Sequence, residues 1–363
     1  MNTDKLSEIV DKILRVESQV ATQSCFQELD GALNNLVNQP QNAEHQRAVS
    51  EKLTALRQSL EEFVSEFTPQ DYDRVLEISF DTFDQELADE ISRKIQENAM
   101  TPSVAREFVQ KLSSDRTQTF QQLNQFASNL KFFGFGYPTP TEGTTEVGFQ
   151  IPRAIFENEF ESMLGELKDI RNMVRFFSVT ATGQYQKASV GSISTTDPLF
   201  FLIMAKEIAL MFGGVVTWGI GVWYSVEQIR KTRAETAQIE AFTPKEIEEF
   251  FDKKIEKTIK LEVEKKVASL LKEGKATKAQ QGELKGQLTW ALNSLLAKME
   301  RGLTIELRIA PPSETEEDDA DETVDESEAE IYDQLLETQN QLIFPEPSDD
   351  PILGIPKLKD DEG

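Results

Sequence analysis

Ile208–Val226, IALMFGGVVTWGIGVWYSV, carries no charged side chain, in a 363-residue chain with 64 acidic and 38 basic residues and a formal net charge of −26. The run before it, Pro198–Ala205, is nearly as apolar, and only Lys206 and Glu207 separate the two. Such a segment must leave water, because burying one large apolar side chain stabilises by about 1.5–3 kcal/mol. Read together, the two runs predict one long apolar helix over 199–240. Small residues recur along it at every fourth position: Ala205, Ala209, Gly213, Thr217, Gly221 and Ser225. On a helix they line a smooth groove that admits another backbone. A glycine costs about 1 kcal/mol relative to alanine in an exposed helix, so close packing is the expected compensation.

Two destinations meet the demand to leave water. The 19 uncharged residues rise about 28 Å as a helix, close to the thickness of a bilayer's hydrocarbon core. Trp218, Trp223 and Tyr224 suit an interface, and Arg230, Lys231 and Arg233 follow as a cytoplasmic flank would. A single-pass membrane protein is therefore the alternative reading. It would place the acidic N-terminal half outside, yet MNTDKLSEIVDKILRVE has no apolar core of a signal peptide. The favoured expectation is a cytoplasmic protein in which the rod is buried in protein or between subunits.

On the N-terminal side, residues 1–133 read as a helical bundle or a set of coiled-coil hairpins. Leu6, Ile9, Ile13, Val16 and Val20 recur at steps of three and four, and Val49, Leu53, Leu56, Leu60, Phe63 and Phe67 repeat the pattern after Pro40. A third helix is expected to carry Phe80, Phe83, Leu87, Ile91 and Ile95. A fourth starts near Pro102 and carries Val104, Phe108, Leu112, Phe120, Leu123, Phe126 and Leu130. The seams make a homo-oligomer the working expectation.

Residues 134–146, rich in Gly, Pro and Thr, form a linker. A small α+β unit is expected over 147–312. Val147, Phe149 and Ile151 alternate as a strand, and Phe156, Phe160, Met163, Leu167 and Ile170 return to helical spacing. FFSVTAT and YQKASVGSIS flank Thr182-Gly183 as the two arms of a hairpin. Beyond the apolar rod, helices are expected over 244–272 and 278–301, with Thr243 and Glu246 as a capping box for the first and Gly302 closing the second. TIELRI, 304–309, alternates like a strand that completes the sheet.

The tail, 313–363, is expected to be disordered. Between Ser313 and Glu330, 11 of 18 residues are Asp or Glu and none is basic, which leaves too little apolar surface to offset chain entropy. Apolar beads follow it: Leu342, Ile343 and Phe344, then Ile352, Leu353 and Ile355, framed by prolines. They read as short docking motifs for a partner or for this chain's own helices. Residues 227–278 hold 13 Lys/Arg against 11 Asp/Glu, an unusually balanced stretch that offers the acidic tail a dock.

The functional reading is mostly one of exclusion. A pI near 4.5 opposes nucleic-acid binding, which cationic side chains drive by displacing counterions. One cysteine, Cys25, and one histidine, His45, leave no intrachain disulfide and no Cys/His zinc set. Neither residue sits in a nucleophile–base pattern. Gly134-Phe135-Gly136 lacks the rest of a phosphate loop. Asp319, Asp321, Thr323, Asp325 and Glu330 follow calcium-loop spacing, but Val324 stands where the sharp turn requires glycine. The expectation is a non-enzymatic interaction, scaffold or regulatory protein without a cofactor. An enzyme with a carboxylate-based site is the remaining alternative.

Overall fold

In the computed structural model the described residues are 3–134, 145–194, 198–236, 244–310, 326–348 and 351–358. The chain is 74% helical with one small open sheet, and it divides into two compact units, Met1–Pro138 and Thr139–Gly363.

The first unit is a bundle of α1 (Thr3–Val20), α2 (Thr22–Asn38), α3 (Ala43–Ser65), α4 (Pro69–Phe83), α5 (Leu87–Glu97) and α6 (Pro102–Phe132). Polar caps start two of these helices: Asn42 accepts from the Glu44 amide, and Thr68 accepts from the Asp71 amide ahead of Pro69. The expected third helix is two helices, because Asp84 leaves helical geometry at φ −60°, ψ 127°. Within α4, Ser79 also leaves helical geometry at φ −162°, ψ 92°; Phe80 after it faces solvent, while Phe83 is fully buried.

Two apolar clusters fill the bundle. Phe26, Leu29, Leu33, Leu56, Leu60, Ile91 and Val109 form one; Ile9, Ile13, Val16, Phe63, Val75 and Phe83 form the other. The heptad residues Val49, Leu56, Leu60 and Phe63 are thus spent inside the unit. Arg116, 1% exposed, sits where the clusters meet. Its guanidinium lies 4.9–5.8 Å from the rings of Phe120, Phe83, Phe63 and Phe26, donates to Glu17 Oε2 at 2.6 Å and to Thr82 O at 2.7 Å, and so ties α1, α4 and α6 together.

The second unit is built around an antiparallel sheet of order β2-β3-β1-β4, from β1 (Thr145–Gln150), β2 (Ser189–Ser194), β3 (Leu199–Met204) and β4 (Thr304–Ile309). Among the described residues six helices accompany it: α7 (Arg153–Phe156), α8 (Phe160–Thr182), α9 (Lys206–Thr236), α10 (Pro244–Glu273), α11 (Lys278–Met299) and α12 (Glu326–Asn340). The two C-terminal helices and the strand at 304–309 fall where periodicity placed them, and β4 pairs with β1 from Thr145↔Ile309 to Gln150↔Thr304.

Two expectations in this unit are corrected. FFSVTAT is the last part of α8, not a hairpin arm: Met173, Phe176, Phe177, Thr180 and Ala181 are buried at helical spacing, and Gly183, φ 79°, closes the helix. Tertiary burial overrides the β preference of its branched residues. The helix expected over 199–240 is a strand followed by a helix. LFFLIM pairs with β1 and β2 as β3, and α9 begins only at Lys206. A six-residue apolar run bounded by Pro198 and Lys206 fits a two-sided strand as well as a helix end, and period alone does not separate them.

Helix α9 is the unit's central rod. Phe212 meets the rings of Phe149 and Phe177 edge-on at 5.3 and 5.1 Å. Ile208, Val215, Val216, Ile220, Val222, Trp223 and Val226 are buried in the same core with residues of α8, α10 and α11. The rod is long and apolar enough to cross a membrane, with a mean hydropathy of 1.4 over its best window, 56% of which is buried inside the protein.

The tail also departs from expectation. Residues 326–340 are helical, and α12 packs against α9 and β4. The acidic residues 311–325, with most of the calcium-loop pattern, lie outside the described residues, as do 135–144 of the linker and the Thr243 cap.

Candidate functional site

A connected set of polar contacts in the second unit holds the extended segment after α12. Glu300 follows α11, and its carboxylate is fully buried. Oε1 accepts the Ile352 amide and Oε2 the Leu353 amide, both at 2.9 Å. Arg230 Nη2 donates to Oε1 at 2.6 Å, and the Glu300 carbonyl accepts the Ser348 amide at 2.9 Å. Two successive backbone N–H groups converging on one anion form a small nest. Its hydrogen bonds are charge-assisted, about 1.5–3 kcal/mol each.

Arg230 is itself held in place. Nη1 donates to Glu227 at 2.7 Å and to Ser348 Oγ at 3.2 Å, and the guanidinium lies 5.6 Å from the Trp223 ring. Trp223 Nε1 donates to Leu296 O at 3.1 Å, which fixes that ring against α11. Further along, Trp290 Nε1 donates to Pro356 O at 2.9 Å. On the other side of the nest, Gln339 Nε2 donates to Leu307 O at 2.6 Å, and Leu342 is 1% exposed. The segment is therefore fastened by backbone contacts along its length, with apolar side chains set between them.

The residues expected to dock separate accordingly. Leu342 is buried, Phe344, Ile352 and Leu353 pack on the core, Ile355 is half-buried, and Ile343 is exposed. They lie against this chain's own helices. The small-residue stripe divides too. Ala209 and Gly213 are buried, and a Cβ at Gly213 would approach Thr338 of α12 and Leu307 of β4. Ala205 precedes the helix and Thr217 is half-buried, while Gly221 and Ser225 are exposed. Nothing lies within 4 Å of a Cβ at Gly221.

Arg230 lies in the charge-balanced stretch 227–278 that was expected to receive the tail, whereas Glu300 carried no sequence signal of its own. Glu300 reads as one more acidic residue at a helix end.

Other polar groups serve packing. Lys298, buried, bonds to Glu166 and lies 3.1 Å from Asp169, joining α11 to α8. Burial pushes the Glu166 carboxyl above its ordinary value, and Lys298 offsets part of that rise. A cavity of about 350 Å³ beside α9 and α10 is lined by Leu210, Met211, Gly214, Lys266, Glu273 and Thr338. Burial lowers the Lys266 ammonium from its ordinary value, and Nζ reaches Gly214 O at 3.4 Å. Cys25 packs beside the first apolar cluster of the bundle, and no hydrogen bond joins it to His45. Among the described residues no group of three or more His, Cys, Asp or Glu is placed to hold a metal ion.

The chain matches no protein-family model, no curated protein and no solved structure.

Proposed function

We propose that the chain is a non-enzymatic interaction protein that self-associates in the aqueous phase, and whose second unit receives an extended peptide. The observation that carries this reading is the Glu300 carboxylate accepting the adjacent amides of Ile352 and Leu353 while Arg230 neutralises it. A buried anion aimed at main-chain N–H groups recognises an extended backbone, and neighbouring apolar positions set the preference for its side chains. In this chain the occupants are its own residues 341–348 and 351–358. A partner carrying a similar apolar, proline-framed segment would compete for the same place.

Exchange in trans tests it. A labelled peptide of residues 341–358 should bind the full-length chain weakly, and a chain ending at residue 340 at least about tenfold more tightly, since the tethered copy no longer competes. Equal binding to both, or none to either, would contradict the reading.

The membrane reading keeps one observation in its favour, the length and mean hydropathy of α9. The enclosure of Phe212, Val215, Val216 and Trp223 by neighbouring helices supports the aqueous alternative, since core helices share that hydropathy.

A further inference from the structure

The sheet has two edges, and they are treated differently. On the β4 side, α12 packs alongside and Gln339 donates to Leu307 O. On the β2 side, Val190 is 61% and Ile193 56% exposed, and Ser189 and Gly191 are exposed with them. Among the described residues no backbone hydrogen bond leaves β2 on its outer side. Edge strands are ordinarily blunted by charge, proline or a covering element. Ser189–Ser194 has no charged residue and no proline, in a protein of net charge −26.

A bulge between Val190 and Ser192 changes what this edge displays. Gly191 is the extra residue, and a Cβ there would lie 2.9 Å from Glu146 Oε1. In an unbroken strand, residues 190 and 193 would face opposite ways. Here Val190 pairs with Leu202 and Ile193 with Phe200, two residues apart on β3, so both β-branched side chains stand on one face. Skipping the bulged glycine, they are symmetric about Ser192.

We infer that β2 is the edge through which two copies of this chain meet, its strand pairing antiparallel with the β2 of a second copy about a two-fold axis at Ser192. That axis sets Val190 of each copy opposite Ile193 of the other, the kind of β-branched cross-strand pair that stabilises sheets. It also joins two four-stranded sheets into one of eight by an isologous contact. A second copy is the fitting occupant because the pattern complements itself. The strand itself carries no carboxylate, and Glu146, which lies beside Gly191, has Arg308 as its counter-ion at 3.6 Å. The inference rests on the self-association proposed above and names its surface. The heptad residues of α3 and the buried half of the α9 stripe are already occupied within their own units.

Light scattering on the full-length chain tests it, together with the double variant Val190→Lys/Ile193→Lys. Both side chains are exposed, so the fold is retained, as unchanged tryptophan emission would show. The wild type is expected to be dimeric on the order of 10 μM, with Ser189–Ser194 amides exchanging more slowly as concentration rises. The variant should dimerise at least about tenfold more weakly. A monomeric wild type at this concentration would overturn both this inference and the proposed self-association. A dimer that the variant leaves intact would overturn the β2 interface alone and assign assembly to the helices.

Discussion

A Cβ added to Gly213 of α9 would lie 2.6 Å from Thr338 Cγ2 of α12 and 3.2 Å from Leu307 Cδ1. At this glycine α12 packs against the central rod, and the close approach requires a residue without a side chain. Eight residues on, Gly221 belongs to the same small-residue stripe but meets nothing within 4 Å. The same substitution should therefore have opposite signs at the two positions. Gly213→Ala forces α12 outward and is expected to cost about 1–3 kcal/mol. Gly221→Ala relieves a helix of its glycine and should stabilise by roughly 0.5–1 kcal/mol. Urea denaturation followed by tryptophan emission checks both.

Glu300→Gln removes the negative charge that Arg230 and two amides share. A carboxamide keeps one acceptor oxygen and turns an NH2 group toward donors, leaving buried groups unpaired. The expected loss is about 3–5 kcal/mol of the C-terminal segment's attachment. Hydrogen exchange reads it directly: the Ile352 and Leu353 amides should exchange much faster while amides within α11 change little. Unaltered protection of those two amides would remove the nest from the account.

Arg116 makes the corresponding test in the first unit. Replacing it by alanine strands Glu17 and empties the space among four phenylalanines, at an expected cost of about 3–5 kcal/mol. Arg116→Lys should recover only part of this, since an ammonium cannot serve Glu17 and the Thr82 carbonyl with one planar fork. The three tryptophans, Trp218, Trp223 and Trp290, all lie in the second unit. Circular dichroism should therefore show early unfolding in these variants while tryptophan emission keeps its wild-type midpoint.

Asp71 gives the bundle an acid-sensitive joint. Burial alone would raise its carboxyl, but Lys5 at 2.9 Å, Lys12 at 3.6 Å and Arg74 at 3.3 Å outweigh that and hold it at about 2. A carboxyl held below its unfolded value stabilises at pH above that value, and the contribution disappears as pH falls through about 2. The first unit should lose about 2 kcal/mol between pH 5 and 2 from this group. Asp71→Asn should flatten that slope, and a slope equal to the wild type's would assign the acid response elsewhere.

Much of this architecture can be read from periodicity. The helices α10 and α11 and the strand β4 follow from apolar residues at regular steps, Ile255, Ile259, Val263 and Val267 in the first, Leu284, Leu288, Leu292 and Leu295 in the second, Ile305 and Leu307 in the strand. What period could not separate were short runs dense in apolar or β-branched residues. LFFLIM and FFSVTAT carry apolar residues at every spacing, so their state is set by Phe201 and Phe177 finding neighbours from distant parts of the chain. The acidic composition around residue 320 also masked α12, whose apolar Leu335 is fully buried although charges surround it in the chain. The dock was legible only in part: the charge-balanced stretch 227–278 holds Arg230, but the amides of Ile352 and Leu353 that Glu300 accepts leave no mark on composition.

The enclosure of α9 by the rest of its own unit is the proposition on which the other assignments depend. Alkaline carbonate extraction of cells expressing the full-length chain tests it most directly. The protein is expected to stay in the aqueous supernatant, with its tryptophan emission shifted to the blue. Recovery in the membrane pellet would contradict it.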